Sequence, residues 1–187
     1  MLIEPVDHYH DLFAITDVVD HDLVQAILQT DWLSLSWSPQ PGQESWARRK
    51  IDESQLPWID QWHQTCERLW PVISDHLGLT LRNYQGTAWW LDEPGFTCSL
   101  HTDGEMPGAM QIGWIGAHAA LGTCFYHYKN STSVRHHFLL QTNTGYIMIN
   151  RANDQGYRHL QWHGMLTAVP KDTFRLSSYS WMTASAV

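Results

Sequence analysis

The chain has 187 residues, of which 43% are hydrophobic and 16% charged, so it is expected to fold as one domain over residues 1–187 and not to be disordered. The formal net charge of −8 argues against general nucleic-acid binding, which needs a basic surface. No apolar run approaches the ~20 residues of a membrane span, so no membrane partner is expected. Three cysteines without paired spacing and the absence of a signal-peptide pattern favour the cytoplasm.

Residues 1–80 are predicted to be helical support. Asp20 is a suitable N-cap for a first amphipathic helix that ends near Asp31, because apolar side chains follow it at helical spacing. The next stretch, 32–46, combines tryptophans with Ser, Pro and Gly and is expected to be a loop that reaches over a site.

A second helix is predicted from apolar residues that recur every three or four positions after residue 58. Asp52 or Ser54 is a suitable cap at its start, and Gly78 is a suitable end. Pro71 lies inside this pattern, removes one backbone donor and clashes with the preceding turn. We therefore expect the helix to kink or break near Trp70.

From about residue 79 the apolar pattern becomes extended, with β-branched and aromatic runs separated by Gly, Asn, Asp and Pro. Such a series predicts an antiparallel double sheet or jelly roll over 81–181, with both helices on its outer face. The eleven tryptophans are expected mainly in the core. Strands are predicted near 81–91, 95–101, 109–115, 121–128, 134–142, 144–150, 158–168 and 173–181.

His101 and Asp103 are candidate metal ligands, because side chains two residues apart on a strand point the same way. A third ligand could be His159 or His163, which would share one strand face, so periodicity does not choose between them. Two histidines and one carboxylate suit iron(II) and leave coordination positions open for chemistry. The other histidines lack such a context and are expected to be structural or exposed: among them His118, His127, His136 and His137.

Arg175 lies in an otherwise apolar or hydroxylic strand, where an unpaired guanidinium would be costly to bury. A ligand carboxylate could satisfy it, and Ser177, two residues on, could add a hydroxyl on the same face. A salt bridge to a carboxylate of the chain is the alternative. The residues alone leave both open.

The ordered motifs His101-Thr-Asp103, Trp162-His163-Gly164 and Arg175-Leu-Ser177 resemble those of the iron(II)- and 2-oxoglutarate-dependent oxygenases. The resemblance covers roughly residues 81–181, and the stretch from Trp90 to Phe96 is similar to the lead-in of small prolyl-hydroxylase-type members. It implies a double-stranded β-helix, a jelly-roll fold of the cupin-like kind, with N-terminal helices. It also favours His163 over His159 as the third ligand.

The resemblance implies that His101, Asp103 and His163 hold iron(II). It further implies that 2-oxoglutarate binds the metal and places its far carboxylate on Arg175 and Ser177. With O₂ as the other substrate, the implied activity is a dioxygenase that hydroxylates an unactivated C–H bond. Related enzymes often place an aromatic residue against the cosubstrate, and Trp114 is proposed for this contact.

The substrate is expected to be a peptide, of prolyl type, or a free amino acid or other small metabolite. Nucleobase repair fits less well, because the net charge is negative and no second arginine follows Arg175. Two other functions remain open. A zinc hydrolase could use the same three ligands, and a non-catalytic jelly-roll protein could bind a sugar or peptide with its tryptophans.

Overall fold

The computed structural model describes residues 1–38, 47–78, 81–103, 106–115, 121–129, 132–152 and 158–184. For residues 81–85, 151–152, 158–159 and 183–184 it describes the backbone alone. The strands, in chain order, are β1 (Leu2–Pro5), β2 (Leu12–Thr16), β3 (Trp37–Ser38), β4 (Arg48–Ile51), β5 (Leu81–Asp92), β6 (Gly108–Ile115), β7 (Gly122–Tyr126), β8 (Val134–Leu139), β9 (Thr144–Ile149), β10 (Arg151–Ala152), β11 (Arg158–His159), β12 (Trp162–Gly164) and β13 (Arg175–Ala184).

The strands form two main antiparallel sheets. The eight-stranded major sheet has the order β1-β2-β9-β6-β13-β5-β4-β3, and the three-stranded minor sheet has the order β12-β7-β8. The short strands β10 and β11 pair with each other. This arrangement confirms the predicted mainly-β class. The stretch 1–80, which the sequence predicts to be helical support, also contributes β1 to β4 to the major sheet.

Helix α1 (His21–Leu28) begins where the sequence predicts it. The Asp20 carboxylate accepts a hydrogen bond of 2.9 Å from the Leu23 backbone N–H, which satisfies one of the unpaired donors of the first turn. Among the described residues, no helix is both long enough and apolar enough to cross a membrane.

Helix α2 (Ile59–Leu77) ends at Gly78, whose φ of +61° gives the predicted left-handed cap. Of the kink or break expected near Trp70, the break is wrong, because α2 continues through Pro71. Its buried face, which includes Trp70, packs against the sheet on both sides of the proline and offsets the lost backbone bond. Asp52 caps a separate 3₁₀ turn at Glu53–Gln55 and not α2.

The outer face of the major sheet packs against both helices, as predicted, and forms the larger core cluster. Trp62 of α2 stands edge-on to two sheet tryptophans and donates from Nε1 to Thr87 Oγ1 at 3.1 Å. The expectation that tryptophans serve the core is confirmed for six of the described ones: Trp32, Trp58, Trp62, Trp70, Trp89 and Trp114.

The inner face of the major sheet packs against the minor sheet in a second, smaller cluster. Phe125 of the minor sheet meets Tyr146 of the major sheet edge to face, with ring centroids 4.9 Å apart. The two sheets therefore face each other, and side chains on their inner faces can line a shared cavity.

Two predicted strands differ in the structure. Residues 95–101 form no strand; the chain turns at Gly95, where φ is +88°, and only His101 makes an isolated bridge. The stretch 158–168 is divided into β11 and β12. The Trp-rich 32–46 loop contains β3 at the sheet edge, and its residues 39–46 lie outside the described residues.

Asn143 ties the turn before β9 to the residues before α1. Its φ is +59°, its Oδ1 accepts from the backbone N–H groups of Val18 and Val19 at 3.1 Å each, and its Nδ2 donates to the Val19 carbonyl at 3.0 Å. We predict that Asn143→Gly, which keeps the left-handed backbone accessible but removes these bonds, lowers the free energy of unfolding by about 1–2 kcal/mol. Urea denaturation measures this. Asn143→Ala should cost ~1 kcal/mol more because of its Cβ, and equal stability of the Gly variant and wild type would contradict the prediction.

Candidate metal centre

Backbone pairing brings His101 and His163 together. Each donates its N–H to the other's carbonyl at 2.9 Å, as in a hydrogen-bonded antiparallel pair. Their side chains therefore lie on the same side, with ring centroids 4.4 Å apart. His163 is buried in β12 and stacks on Phe125 of β7 at 5.3 Å. A single backbone bridge thus brings together two histidines that are far apart in the sequence.

Asp103 completes a group of three possible ligands. Its Oδ1 lies 3.4 Å from His101 Nε2, its Oδ2 lies 3.4 Å from His163 Nε2, and one ligand atom from each residue lies within 4.8 Å of the others. The His159 side chain and His118 are outside the described residues. The described histidines His127, His136 and His137 do not belong to this group.

The orientation of both rings fits a metal. His101 Nδ1 lies 2.8 Å from the Ser99 carbonyl, and His163 Nδ1 lies 2.9 Å from the Gln161 carbonyl. Because a carbonyl oxygen only accepts, each Nδ1 carries a hydrogen, so Nε2 is the nitrogen that each ring turns towards Asp103 and would offer to a metal once it has lost its proton. This is the way in which metal-binding histidines are usually held. Two imidazole nitrogens and one carboxylate are a donor set suited to iron(II).

The pKa values of His101 and Asp103 are both shifted by their contact with each other. Hydrogen bonding to Asp103, and then to the Cys98 thiol, raises the pKa of His101 to about 10. Burial alone would raise the pKa of Asp103, but His101, His163 and the hydroxyl of Tyr179 outweigh it and hold this pKa well below its usual range. The carboxylate is therefore ionised and available as a ligand at neutral pH.

A buried polar network supports His163 from behind. Arg135 Nη1 donates to Gln161 Oε1 at 2.9 Å, and Gln161 Nε2 donates to Asp11 Oδ2 at 2.9 Å. Arg135 also forms ion pairs with Asp7 and Asp11. The network fixes Gln161, whose carbonyl holds the His163 ring, and so links the metal candidate to the β1–β2 hairpin.

The three candidate ligands open onto a cavity of roughly 820 Å³ between the sheets. Strand alternation places Arg175, Ser177, Tyr179 and Trp181 of β13 on the inner face of the major sheet. Other wall residues belong to strands of both sheets and to the loop after β5: Arg48, Lys50, Trp90, Cys98, Gln111, Thr123 and Tyr146.

Arg175 forms the salt bridge, one of the two possibilities that the sequence leaves open, and binding of a ligand carboxylate stays a prediction. It is 2% exposed, and its Nε donates to Asp92 Oδ2 at 2.6 Å, so the salt bridge exists. Its Nη1 is buried without a hydrogen-bond partner among the described residues. Ser177 is fully buried, accepts from Gln111 Nε2 at 3.1 Å and follows Arg175 on the same face. A ligand carboxylate in the cavity would give the unpaired Nη1 its acceptor.

Asp92 is shared by a second arginine, which the sequence did not single out. Arg48 Nε lies 2.5 Å from Asp92 Oδ1, and Arg48 Nη2 lies 3.1 Å from Oδ2. Burial alone would raise the pKa of Asp92, but Arg175 and Arg48 hold it below its usual range. One buried carboxylate thus meets two guanidinium groups.

Trp114 does not line the cavity, so the prediction of a cosubstrate contact is wrong. Its side chain is fully buried on the helix-facing side of β6, where Nε1 donates to Ser178 Oγ at 2.9 Å. Because alternate residues of a strand face opposite sides, Gln111 faces the cavity instead. Tyr146 O–H donates to Gln111 Oε1 at 2.6 Å and Thr123 donates to the same oxygen at 3.1 Å.

Tyr179 is a site residue that the sequence analysis missed. Its hydroxyl donates to Asp103 Oδ2 at 2.5 Å, and burial followed by the charge of Asp103 raises its pKa well above the usual value, which keeps it a donor. It lies four residues after Arg175, so strand alternation could have placed it on the cavity face. Gln111 could also have been predicted to face the cavity, because it is a lone polar residue in an apolar strand.

We predict that Tyr179→Phe weakens iron(II) binding about tenfold, as is usual when a residue that orients a ligand is lost. The phenyl ring keeps the packing, so thermal stability should change little. Competition with a chromophoric chelator under anaerobic conditions measures the affinity. An unchanged affinity would show that the hydroxyl does not orient the carboxylate.

Several solved structures share this fold. A prolyl-4-hydroxylase of Pseudomonas putida aligns over 95% of this chain and 94% of its own, with a TM-score of 0.63 and 18% identity. The viral collagen prolyl hydroxylase of Paramecium Bursaria Chlorella virus-1, solved as a 2-oxoglutarate complex, covers 92% of this chain and 95% of its own, with a TM-score of 0.58 and 10% identity. A non-heme alpha-ketoglutarate-dependent epimerase from nogalamycin biosynthesis covers 93% and 77%, with a TM-score of 0.64 and 12% identity.

No protein-family model and no curated protein sequence matches the chain. The structural likeness extends over nearly the whole chain at low identity, and it concerns the fold. The chain has the double-stranded β-helix fold that the sequence motifs imply.

Proposed function

We propose that residues 1–187 form one iron(II)- and 2-oxoglutarate-dependent dioxygenase domain that hydroxylates an unactivated C–H bond. One observation carries this proposal. His101, Asp103 and His163 converge on a cavity that is also lined by Arg175, whose buried Nη1 lacks a partner among the described residues. A metal site and a carboxylate site in one cavity fit a ligand that binds both, as a 2-oxo dicarboxylate does.

In this proposal, His101, Asp103 and His163 would hold the iron, and Arg175 with Ser177 would bind the far carboxylate of 2-oxoglutarate. When bound, iron(II) and 2-oxoglutarate supply the oxidising chemistry that side chains lack. Tyr179 orients the Asp103 carboxylate through its hydrogen bond. Gln111, fixed by Tyr146, forms part of the wall, and the two sheets limit the access of water.

The proposed substrate is a peptidyl group, of prolyl type, or a free amino acid or small metabolite. Two prolyl hydroxylases among the structures with this fold support the first choice. Half-buried Trp90 and Trp181 give the cavity flat apolar walls against which a small ring could pack. Free thiols at all three cysteines fit the proposed cytoplasmic location.

The proposal is tested by adding iron(II) and then 2-oxoglutarate to the metal-free protein without oxygen. We expect a weak visible charge-transfer band that requires both additions. Zinc should bind to the same site without producing this band, and a hydrolase would need no 2-oxo acid. Absence of the band with iron(II) bound would overturn the proposal. Peptides and amino acids can then be screened with oxygen present for a mass gain of one oxygen atom.

A further inference from the structure

The carboxylate end of the cavity contains two cations and one anion. Arg48 and Arg175 both bond to Asp92, which is fully buried, and both arginines line the cavity. Arg48 is held in place, because its guanidinium lies 4.2 Å from the ring centre of Phe96 and 5.1 Å from that of Trp90. The formal sum of the three charges is one positive charge.

Without Arg48, Asp92 and Arg175 would form a neutral pair. A carboxylate that approached Arg175 Nη1 would then meet the negative charge of Asp92 with only one guanidinium to offset it. With Arg48 present, Asp92 is shared between two cations and one positive charge remains. Lys50 also lines the cavity, but its side chain is exposed, so water screens its charge more strongly.

We propose that Arg48 determines specificity at this end of the cavity: by sharing Asp92, it leaves Arg175 charged and selects a 2-oxo acid that has a second carboxylate. This inference rests on the proposed function for the identity of the ligand. Arg48 acts partly through Asp92 and is in that respect a positioning residue.

The test compares 2-oxoglutarate with 2-oxopentanoate, which has the same carbon chain and keto acid but lacks the far carboxylate. Calorimetry on the anaerobic iron(II) protein gives a dissociation constant for each. For the wild type we expect 2-oxoglutarate to bind about tenfold or more tightly. For Arg48→Gln this preference should nearly vanish, while the affinity for 2-oxopentanoate stays the same. A preference that survives in Arg48→Gln overturns the proposal.

A double variant distinguishes an effect of Arg48 on the charge of the cluster from a purely structural role of Arg48. In the double variant Arg48→Gln with Asp92→Asn, Arg175 is again the only formal charge of the cluster, so the preference for 2-oxoglutarate should return at least tenfold relative to Arg48→Gln. A structural role for Arg48 predicts that the double variant is worse than the single one. Failure of the double variant to recover, with a folded protein by circular dichroism, contradicts the proposal.

Two further variants serve as controls. Arg48→Lys keeps the charge and should keep most of the preference, so a complete loss would contradict the proposal. Arg49→Gln removes the neighbouring arginine, which pairs with Glu93 and lies over Trp37, outside the cavity lining. It should leave the ratio of the two dissociation constants unchanged, and a loss as large as that of Arg48→Gln would contradict the proposal.

Failure of the proposed function can be distinguished from failure of the role proposed for Arg48. If neither 2-oxo acid binds the iron(II) protein, the oxygenase proposal fails, but the arginine cluster can still be tested on the metal-free protein with glutarate and pentanoate. Glutarate should bind more tightly to the wild type than to Arg48→Gln, and pentanoate equally to both. Equal binding of glutarate to both proteins would overturn the role of Arg48 whatever the reaction.

Discussion

Asp103→Ala is expected to abolish tight iron(II) binding and, with it, the visible band of the iron(II)–2-oxoglutarate protein. Asp103 offers the one carboxylate of the group, and its two oxygens lie 3.4 Å from the Nε2 atoms of His101 and His163. Loss of a residue that only orients a ligand typically costs 10–100-fold in metal affinity, so loss of the ligand itself should cost about 100-fold or more. Competition with a chromophoric chelator, without oxygen, measures the affinity.

The control is Asp31→Ala, which removes an exposed aspartate that does not line the cavity and should leave both iron affinity and the band unchanged. Asp103 also accepts from Tyr179, so the fold of the variant is checked by circular dichroism. A folded Asp103→Ala protein that keeps the band would show that the iron, if bound, is held elsewhere. The proposed site would then be abandoned.

The sequence predicted the parts of the site that depend on short spacing or on an ordered motif. His101 and Asp103 are two residues apart, so local backbone geometry already brings their side chains together. His163 could be chosen only through the resemblance to a family, because periodicity treats His159 and His163 alike. Arg175 stood out in its strand, but the resemblance alone favoured a ligand carboxylate over a salt bridge. The bridge between His101 and His163, which joins the two parts, is a long-range contact that spacing does not encode.

The error at Trp114 has a physical origin. Alternation divides β6 into two sets of residues, but it does not tell which set faces the cavity when both faces are covered. Residues 108–114 are all buried, since the helices cover one face and the minor sheet the other. The large aromatic residue therefore suited either face, and it packs against the helices.

Polar pairs between residues that are distant in the sequence could not be predicted either. Arg48 and Asp92 are 44 positions apart, and nothing near either of them indicates the other. The same holds for Arg135 and Asp7, which are 128 positions apart. The first pair forms because the sheet order places β4 beside β5. The second joins the turn between β1 and β2 to β8 of the other sheet. Such pairs can be predicted only when the order of the strands in the sheets is known. The apolar pattern predicted the fold class but not this order.

Arg175→Ala should leave iron(II) binding unchanged and raise the 2-oxoglutarate concentration that half-saturates the iron protein about 100-fold. The guanidinium is buried, Nε and Nη2 bond to Asp92, and Nη1 is the donor left for a ligand. In the variant, Asp92 keeps Arg48 as its partner, so the buried carboxylate is not left uncompensated. The cluster becomes neutral, so the far carboxylate of 2-oxoglutarate loses both the Nη1 hydrogen-bond donor and the attraction of a net positive charge.

Titration of the visible band with 2-oxoglutarate measures this loss, and 2-oxopentanoate provides the internal control. Because 2-oxopentanoate has no far carboxylate, wild type and Arg175→Ala should bind it equally, provided that the iron site is intact. Arg68→Ala, an exposed arginine of α2, should change neither value. If 2-oxoglutarate binds the Arg175→Ala protein as tightly as the wild type, its far carboxylate lies elsewhere, and the unpaired Nη1 serves a different anion.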